Sequence, residues 1–152
     1  MLNDEECKRQ ALNSLARRPL SEYELGTKLR QKGFAADSVT QTLEYVLRRG
    51  YVNDLELARA VFNKCKKSGK YGVSAIRDRM RKRGLTDEVI GAVFSDTAGV
   101  DEFGTAVGLV ERRFKIVNDD NKAKVMRFLA YRGFAKSTIM KVMEHLYGAC
   151  FY

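Results

Sequence analysis

The chain is poor both in the residues that interrupt helices and in those that build reactive sites. Among its 152 residues there is one proline, Pro19, so nothing elsewhere forbids long helical stretches. There is one histidine, His145. Without a Cys, Asp or Glu cluster at ligand spacing, it reads as a surface or packing residue and supplies no base for a serine or cysteine triad. The three cysteines, Cys7, Cys65 and Cys150, are odd in number, far apart and form no CxxC pair. That usage fits free thiols in a reducing compartment better than a disulfide framework. No apolar run approaches the roughly 18 residues needed to cross a bilayer. The opening residues, Met-Leu-Asn-Asp-Glu-Glu, are the opposite of a basic and then apolar targeting segment. A cytoplasmic protein without membrane contact is the expectation.

Motifs of chemistry are missing as well. No GxxxxGK[ST] or GxGxxG loop occurs, and no GxSxG elbow. Gly69-Lys70-Tyr71-Gly72 is too short for a phosphate loop and follows no strand pattern. Asp119 and Asp120 are adjacent, so their side chains point apart, and N-capping is their simpler role. The expectation is a protein with no catalytic residue, no metal site and no cofactor.

What the chain does have is helical periodicity, repeated three times. The composition, 45% hydrophobic and 31% charged, suits a folded protein. Leu25, Leu29, Gly33 and Phe34 are followed by Ile76, Met80, Gly84 and Leu85, and then by Val125, Leu129, Gly133 and Phe134. The glycines lie 51 and then 49 residues apart. Each apolar pair at i, i+4 shares one helix face. The glycine four residues on suits a C′ position with φ > 0, and the next apolar residue can pack back over the last turn.

A further helix follows each time, marked by Val39, Leu43, Val46 and Leu47, by Val89, Ile90, Val93 and Phe94, and by Ile139, Val142, Met143 and Leu146. A helix also precedes each pair. The first opens at Asn3 with Glu6 and turns Cys7, Ala11, Leu12 and Leu15 inward. The second opens at Asn53 with Glu56 and carries Leu57, Ala58, Val61, Phe62 and Cys65. The third spans about 101–115, with Phe103, Ala106, Val107, Val110 and Phe114. Ser21 with Glu24 forms a capping box, Gly50 ends a helix, and Gly69 with Gly72 separates two. The expected fold is all-α: three tandem three-helix repeats over 1–52, 53–98 and 99–152, helix-turn-helix-like modules that are semi-independent because about 50 residues enclose only a modest core.

The formal net charge is +9, and residues 59–83 hold ten Lys/Arg against the single acid Asp78. The remaining basic and acidic residues cancel, so the whole excess belongs to the middle of the chain. Lys64, Lys66, Lys67, Lys70, Arg77, Arg79, Arg81, Lys82 and Arg83 are therefore candidate binding residues for a polyanion or an acidic protein surface. Tyr71 stands between the basic clusters as a stacking or docking aromatic. A solvated helix face, with Tyr71 covering the core, is the blander alternative. A sequence-reading helix-turn-helix fits less well, because the charge is not confined to one helix and base-reading polar residues are sparse. Non-specific phosphate contact remains reasonable.

The junction Gly50-Tyr51-Val52-Asn53-Asp54-Leu55-Glu56-Leu57-Ala58, then Lys70-Tyr71-Gly72 and the run from Ile76 to Leu85, resembles the RecX regulatory proteins along essentially the whole chain. The resemblance implies a bacterial modulator of the RecA recombinase. Such proteins lie in the groove of the RecA filament on single-stranded DNA and oppose its growth, strand exchange, ATP hydrolysis and co-protease activity. An elongated, curved, monomeric body would suit that groove. This chain departs from the family pattern at Leu57, Asn63, Cys65 and Val73, where an aromatic, two arginines and a proline are common. The rival expectation is a module that binds nucleic acid directly and without sequence preference.

Overall fold

Capping side chains and apolar stripes set the helices where their spacing predicts. The structure, a computed structural model, describes residues 3–96 and 100–148. Among these lie nine α-helices and no strand: α1 Asp4–Arg17, α2 Glu22–Gln31, α3 Ala36–Arg48, α4 Asp54–Ser68, α5 Val73–Lys82, α6 Asp87–Asp96, α7 Glu102–Arg113, α8 Lys122–Tyr131 and α9 Lys136–Tyr147. Asn3 Oδ1 accepts from the Glu6 amide at 2.8 Å, and Asn53 Oδ1 from the Glu56 amide at 3.2 Å. Ser21 and Glu24 form the expected reciprocal box, at 3.0 and 2.9 Å, so orphan amides of the first turn are satisfied. Cys150 and the boundary near residue 98 fall outside the described residues.

The second helix of each repeat ends in the same way. Gly33, Gly84 and Gly133 have φ of 94°, 76° and 84°. The next amide then reaches back five residues: Phe34 to Leu29, Leu85 to Met80 and Phe134 to Leu129, at 3.2–3.3 Å. Phe34, Leu85 and Phe134 are buried. This is the Schellman arrangement, in which a left-handed residue lets the chain turn and an apolar side chain seals the helix end.

Some expected core positions lie outside. Leu12 and Leu47 are 36% and 39% exposed, while Ser14 and Thr42 are buried instead. The buried faces run Cys7, Ala11, Ser14 and Val39, Thr42, Val46, and one further residue rotates by about 100° off that stripe. Phe103 is at the rim, edge-on to His145 with ring centroids 5.5 Å apart. Asp119 and Asp120 do not cap a helix. They lie in a 3-10 turn, Asp119–Asn121, capped by Asn118, whose Oδ1 accepts from the Asp120 amide. Asp119 pairs with Lys122 at 2.9 Å.

The chain divides into two compact units. Met1–Ala60 with Met80–Val93 forms one, and Val61–Arg79 with Phe94–Tyr152 the other. In the first, α1, α2 and α3 pack around Cys7, Ala11, Leu25, Leu29, Val39 and Val46. In the second, α7, α8 and α9 enclose Ala106, Val110, Val125, Leu129, Val142 and Met143. Helices α4, α5 and α6 contribute residues to both units.

The same joint occurs inside each unit. In the first, Ser21 Oγ donates to the Arg83 carbonyl at 2.5 Å, and a Cβ on Gly84 would come within 3.0 Å of Tyr23. In the second, the Gly72 amide donates to the Arg132 carbonyl at 2.9 Å, and a Cβ on Gly133 would come within 3.0 Å of the Ala75 backbone. Ser21 and Gly72 hold equivalent places 51 residues apart; Arg83 and Arg132, 49 apart, do so too. Gly84 and Gly133 thus serve twice, by positive φ and by close approach to the helix that starts the preceding pair.

Candidate partner-binding surface

The ten residues singled out by charge and position do not share one environment. Lys64, Lys66, Lys67 and Lys70 are exposed along the second half of α4 and the loop after it, in the second unit. Their helix buries Phe62 and Cys65; Lys64 and Lys67 project from the other side, and Lys66 flanks the buried face while remaining exposed. Burial pushes the Cys65 thiol above its usual range, although the charges of Arg79 and Lys64 oppose this. A thiol held protonated in this way is a poor nucleophile.

Tyr71 is half-buried in the loop between α4 and α5. The Arg79 guanidinium lies over its ring, 4.0 Å from the centroid, and donates to its hydroxyl at 2.5 Å. Arg77 lies over the Phe94 ring at 4.4 Å, and Phe94 meets Phe62 edge-on at 5.1 Å. Both arginines therefore carry charge on an aromatic base, which orients the guanidinium while leaving it charged.

The other three candidates belong to the first unit. Arg81 pairs with Asp87 at 3.2 Å, and Lys82 is exposed. Arg83 is half-buried and engaged: Nε donates to Glu24 Oε2 at 2.9 Å and Nη2 to the Pro19 carbonyl at 3.0 Å. Burial raises the Glu24 pKa, but hydrogen bonds from Arg83 and the Ser21 amide, with the charges of Arg83 and Arg18, bring it below the usual carboxylate range. Arg83 thus ties α2 to the end of α5.

Charge is shared unequally between the units. The second holds fifteen Lys/Arg against eight Asp/Glu, the first thirteen against eleven. The fold also brings residues to the Gly69–Gly72 loop that lie far from it in the chain. Arg112 Nη2 donates to the Gly69 carbonyl at 3.1 Å, and the Arg132 guanidinium is 5.8 Å from the Tyr71 ring centre. Neither lies in the basic stretch of 59–83. The sequence signal for Arg132 was its place before a repeat glycine, shared with Lys32 and Arg83; for Arg112 there was none.

Glu102 holds this region together. Its Oε1 accepts from the Val73 amide at 2.7 Å, and its Oε2 from Thr138 Oγ1 at 2.7 Å and the Ala135 amide at 3.5 Å. One carboxylate on α7 thereby serves the first turns of both α5 and α9. Among the described residues no group of three His, Cys, Asp or Glu is placed to hold a metal ion. No helix there is long and apolar enough to cross a membrane.

Known proteins share both the sequence and the fold. Residues 7–45 match the sequence model of the first three-helix domain of RecX, and residues 101–143 that of the third. The regulatory protein RecX of Vibrio vulnificus is 31% identical over 132 residues, covering 85% of each chain. That of Trichlorobacter lovleyi is 30% identical over 145 residues, covering 91% of this chain and 94% of the relative. The crystal structure of RecX from Lactobacillus salivarius superposes with a TM-score of 0.79 at 18% identity, covering 94% of this chain and 96% of that one. Helix order, capping, the repeated glycine joint and these likenesses together place the chain in the RecX family of regulatory proteins.

Proposed function

We propose that this chain is a non-catalytic regulator that binds the RecA recombinase in its filament on single-stranded DNA. There it opposes filament growth, and with it strand exchange, ATP hydrolysis and co-protease activity. Membership of the RecX family carries the reading, because relatives matched over most of their length are regulatory proteins. The exposed lysines of α4 and the aromatic-backed Arg77 and Arg79 support it. They offer a partner a charged surface whose residues are not committed to holding the core. Lys64, Lys66, Lys67, Lys70, Tyr71, Arg77, Arg79, Arg81 and Lys82 are the proposed contacts, and Arg83 contributes by fixing the end of α5, next to Arg81 and Lys82, against Glu24. In this reading the chain works as a cytoplasmic monomer of three modules, 1–52, 53–98 and 99–152, with the middle one as the main point of contact.

The test is a titration of the DNA-dependent ATPase of the cognate RecA at two salt concentrations. Suppression is expected well below one regulator per RecA. A RecA ATPase and filament length unchanged at equimolar regulator would overturn the proposal.

A second reading, direct binding of nucleic acid, is favoured by one observation. The uneven charge leaves the second unit with a clear positive excess, which attracts polyanions irrespective of sequence. It predicts binding to DNA alone, falling steeply with salt.

A further inference from the structure

The basic residue before each repeat glycine meets a different fate in the two joints. In the first unit, Arg83 finds the Glu24 carboxylate. The 51-residue offset that relates Leu25 to Ile76 places Ala75 where Glu24 stands. In the second unit, Arg132 accordingly has no carboxylate. Its guanidinium lies 5.8 Å from the Tyr71 ring centre and 5.3 Å from that of Phe128. Its Nε is buried without a hydrogen-bond partner. The same arginine position is ion-paired in one joint and without a carboxylate in the other.

Two more guanidiniums reach the same loop. Arg79 lies against Tyr71 and donates to its hydroxyl, and Arg112 donates to the Gly69 carbonyl. Among the described residues none of the three has an ion-pair partner. Glu102 is committed to the amides of Val73 and Ala135 and to the Thr138 hydroxyl. The first turn of α5 is therefore not an open anion site, since the Val73 amide is used there and the Ser74 amide donates to the Gly133 carbonyl. Like charges gathered around a four-residue loop repel one another, and aromatic faces offset only part of that cost. A bound anion would remove it.

We infer that Arg79, Arg112 and Arg132, arranged around Lys70 and Tyr71, form a subsite for the phosphodiester backbone of single-stranded nucleic acid. Planar guanidinium forks match phosphate oxygens in pairs. Arg79 and Arg132 both border one tyrosine ring, so their guanidiniums cannot be further apart than the 4.0 and 5.8 Å distances laid end to end. That span suits one phosphate or two successive ones. An acidic peptide would need two carboxylates held equally close. Exposed Lys64, Lys66 and Lys67 in the same unit extend the positive charge beyond the loop, as a polyanion requires. This deepens the direct nucleic-acid reading and rests on it, independently of RecA.

Fluorescence anisotropy with a short labelled oligo(dT), titrated at several salt concentrations without RecA, tests the subsite. Arg79→Gln with Arg132→Gln is expected to weaken binding roughly tenfold. It should also reduce the slope of log affinity against log salt by about 1.4, since each single-strand phosphate contact contributes about 0.7. Arg17→Gln with Arg48→Gln removes the same charge from exposed positions in the first unit and should leave the slope unchanged. Equal losses from both pairs would overturn the inference in favour of bulk charge. Displacement of oligo(dT) by oligo-glutamate at equal charge concentration would overturn it in favour of an acidic protein surface. Arginine modification by phenylglyoxal on the unaltered chain needs no folded variant. Oligo(dT) should protect Arg79 and Arg112 more than Arg17 and Arg48, and uniform protection contradicts the subsite. The RecA ATPase titration decides the other reading separately: a regulator that suppresses RecA but fails to bind oligo(dT) sinks the subsite alone.

Discussion

Replacing Glu102 with alanine should expose how much of the second unit hangs on one side chain. The carboxylate accepts two hydrogen bonds at 2.7 Å, from the Val73 amide and the Thr138 hydroxyl, and a longer one at 3.5 Å from the Ala135 amide. Hydrogen bonds to a charged group contribute about 1.5–3 kcal/mol each when well formed. The longest counts for little, and Glu102 is only half-buried, so the short pair sets the scale. Ala135, the N-cap of α9, makes no side-chain capping bond of its own, so nothing else replaces the lost acceptor there. The expected loss is about 2–4 kcal/mol. For a protein of this size that lowers Tm by roughly 5–12 °C. Glu102→Gln keeps an acceptor oxygen but loses the charge, and should cost about half as much. Thermal unfolding by circular dichroism measures the total, and hydrogen exchange at the Val73 and Ala135 amides localises it. A Tm change below about 1 °C with unaltered exchange would refute the assignment of Glu102 as the shared cap of α5 and α9.

Other perturbations separate causes that resemble each other. Gly50→Ala meets only the cost of a φ of 73°, with nothing within 4 Å of the new Cβ, or about 1 kcal/mol. Gly133→Ala adds a clash with the Ala75 backbone and should cost about 3 kcal/mol; equal losses in urea unfolding would remove the joint from the explanation. The Glu24 carboxyl is depressed in the folded state, so its contribution is present above its unfolded pKa of about 4.3 and is lost as pH falls through the lower folded value. Glu24→Gln should flatten the acid limb of stability against pH, and a parallel curve would contradict the Arg83 pairing. Reversing Lys64, Lys66 and Lys67 to glutamate should change stability by no more than about 0.5 kcal/mol per site while weakening the RecA ATPase effect. Arg83→Glu instead sets a carboxylate against Glu24 and should cost about 3 kcal/mol; a stable Arg83→Glu would show that this pair does not hold α2 to α5.

The helices were legible because their signals are local. Asn3, Ser21 and Asn53 cap within three residues, and the Schellman glycines act through bonds spanning five. Spacing alone therefore predicts them. The inward faces were legible less fully. Leu12 and Leu47 are apolar but lie off the buried stripe, and Ser14 and Thr42 occupy it. Which of two neighbouring residues faces inward depends on how a helix is rotated against its partners, and partners are distant in sequence.

The candidate surface shows the same division. The sequence by itself determined the all-helical repeat, the glycine turns, the family and the concentration of positive charge in residues 59–83. All of these are properties of composition and short-range spacing. Only the tertiary structure decided which of those charges are paired and which are exposed. It paired Arg83 with Glu24, left the α4 lysines exposed, and brought Arg112 and Arg132 to the loop around Tyr71. The physical reason is that a guanidinium's availability depends on whether a carboxylate comes within hydrogen-bond reach. Glu24 and Arg83 stand 59 residues apart, a separation closed only when the chain folds.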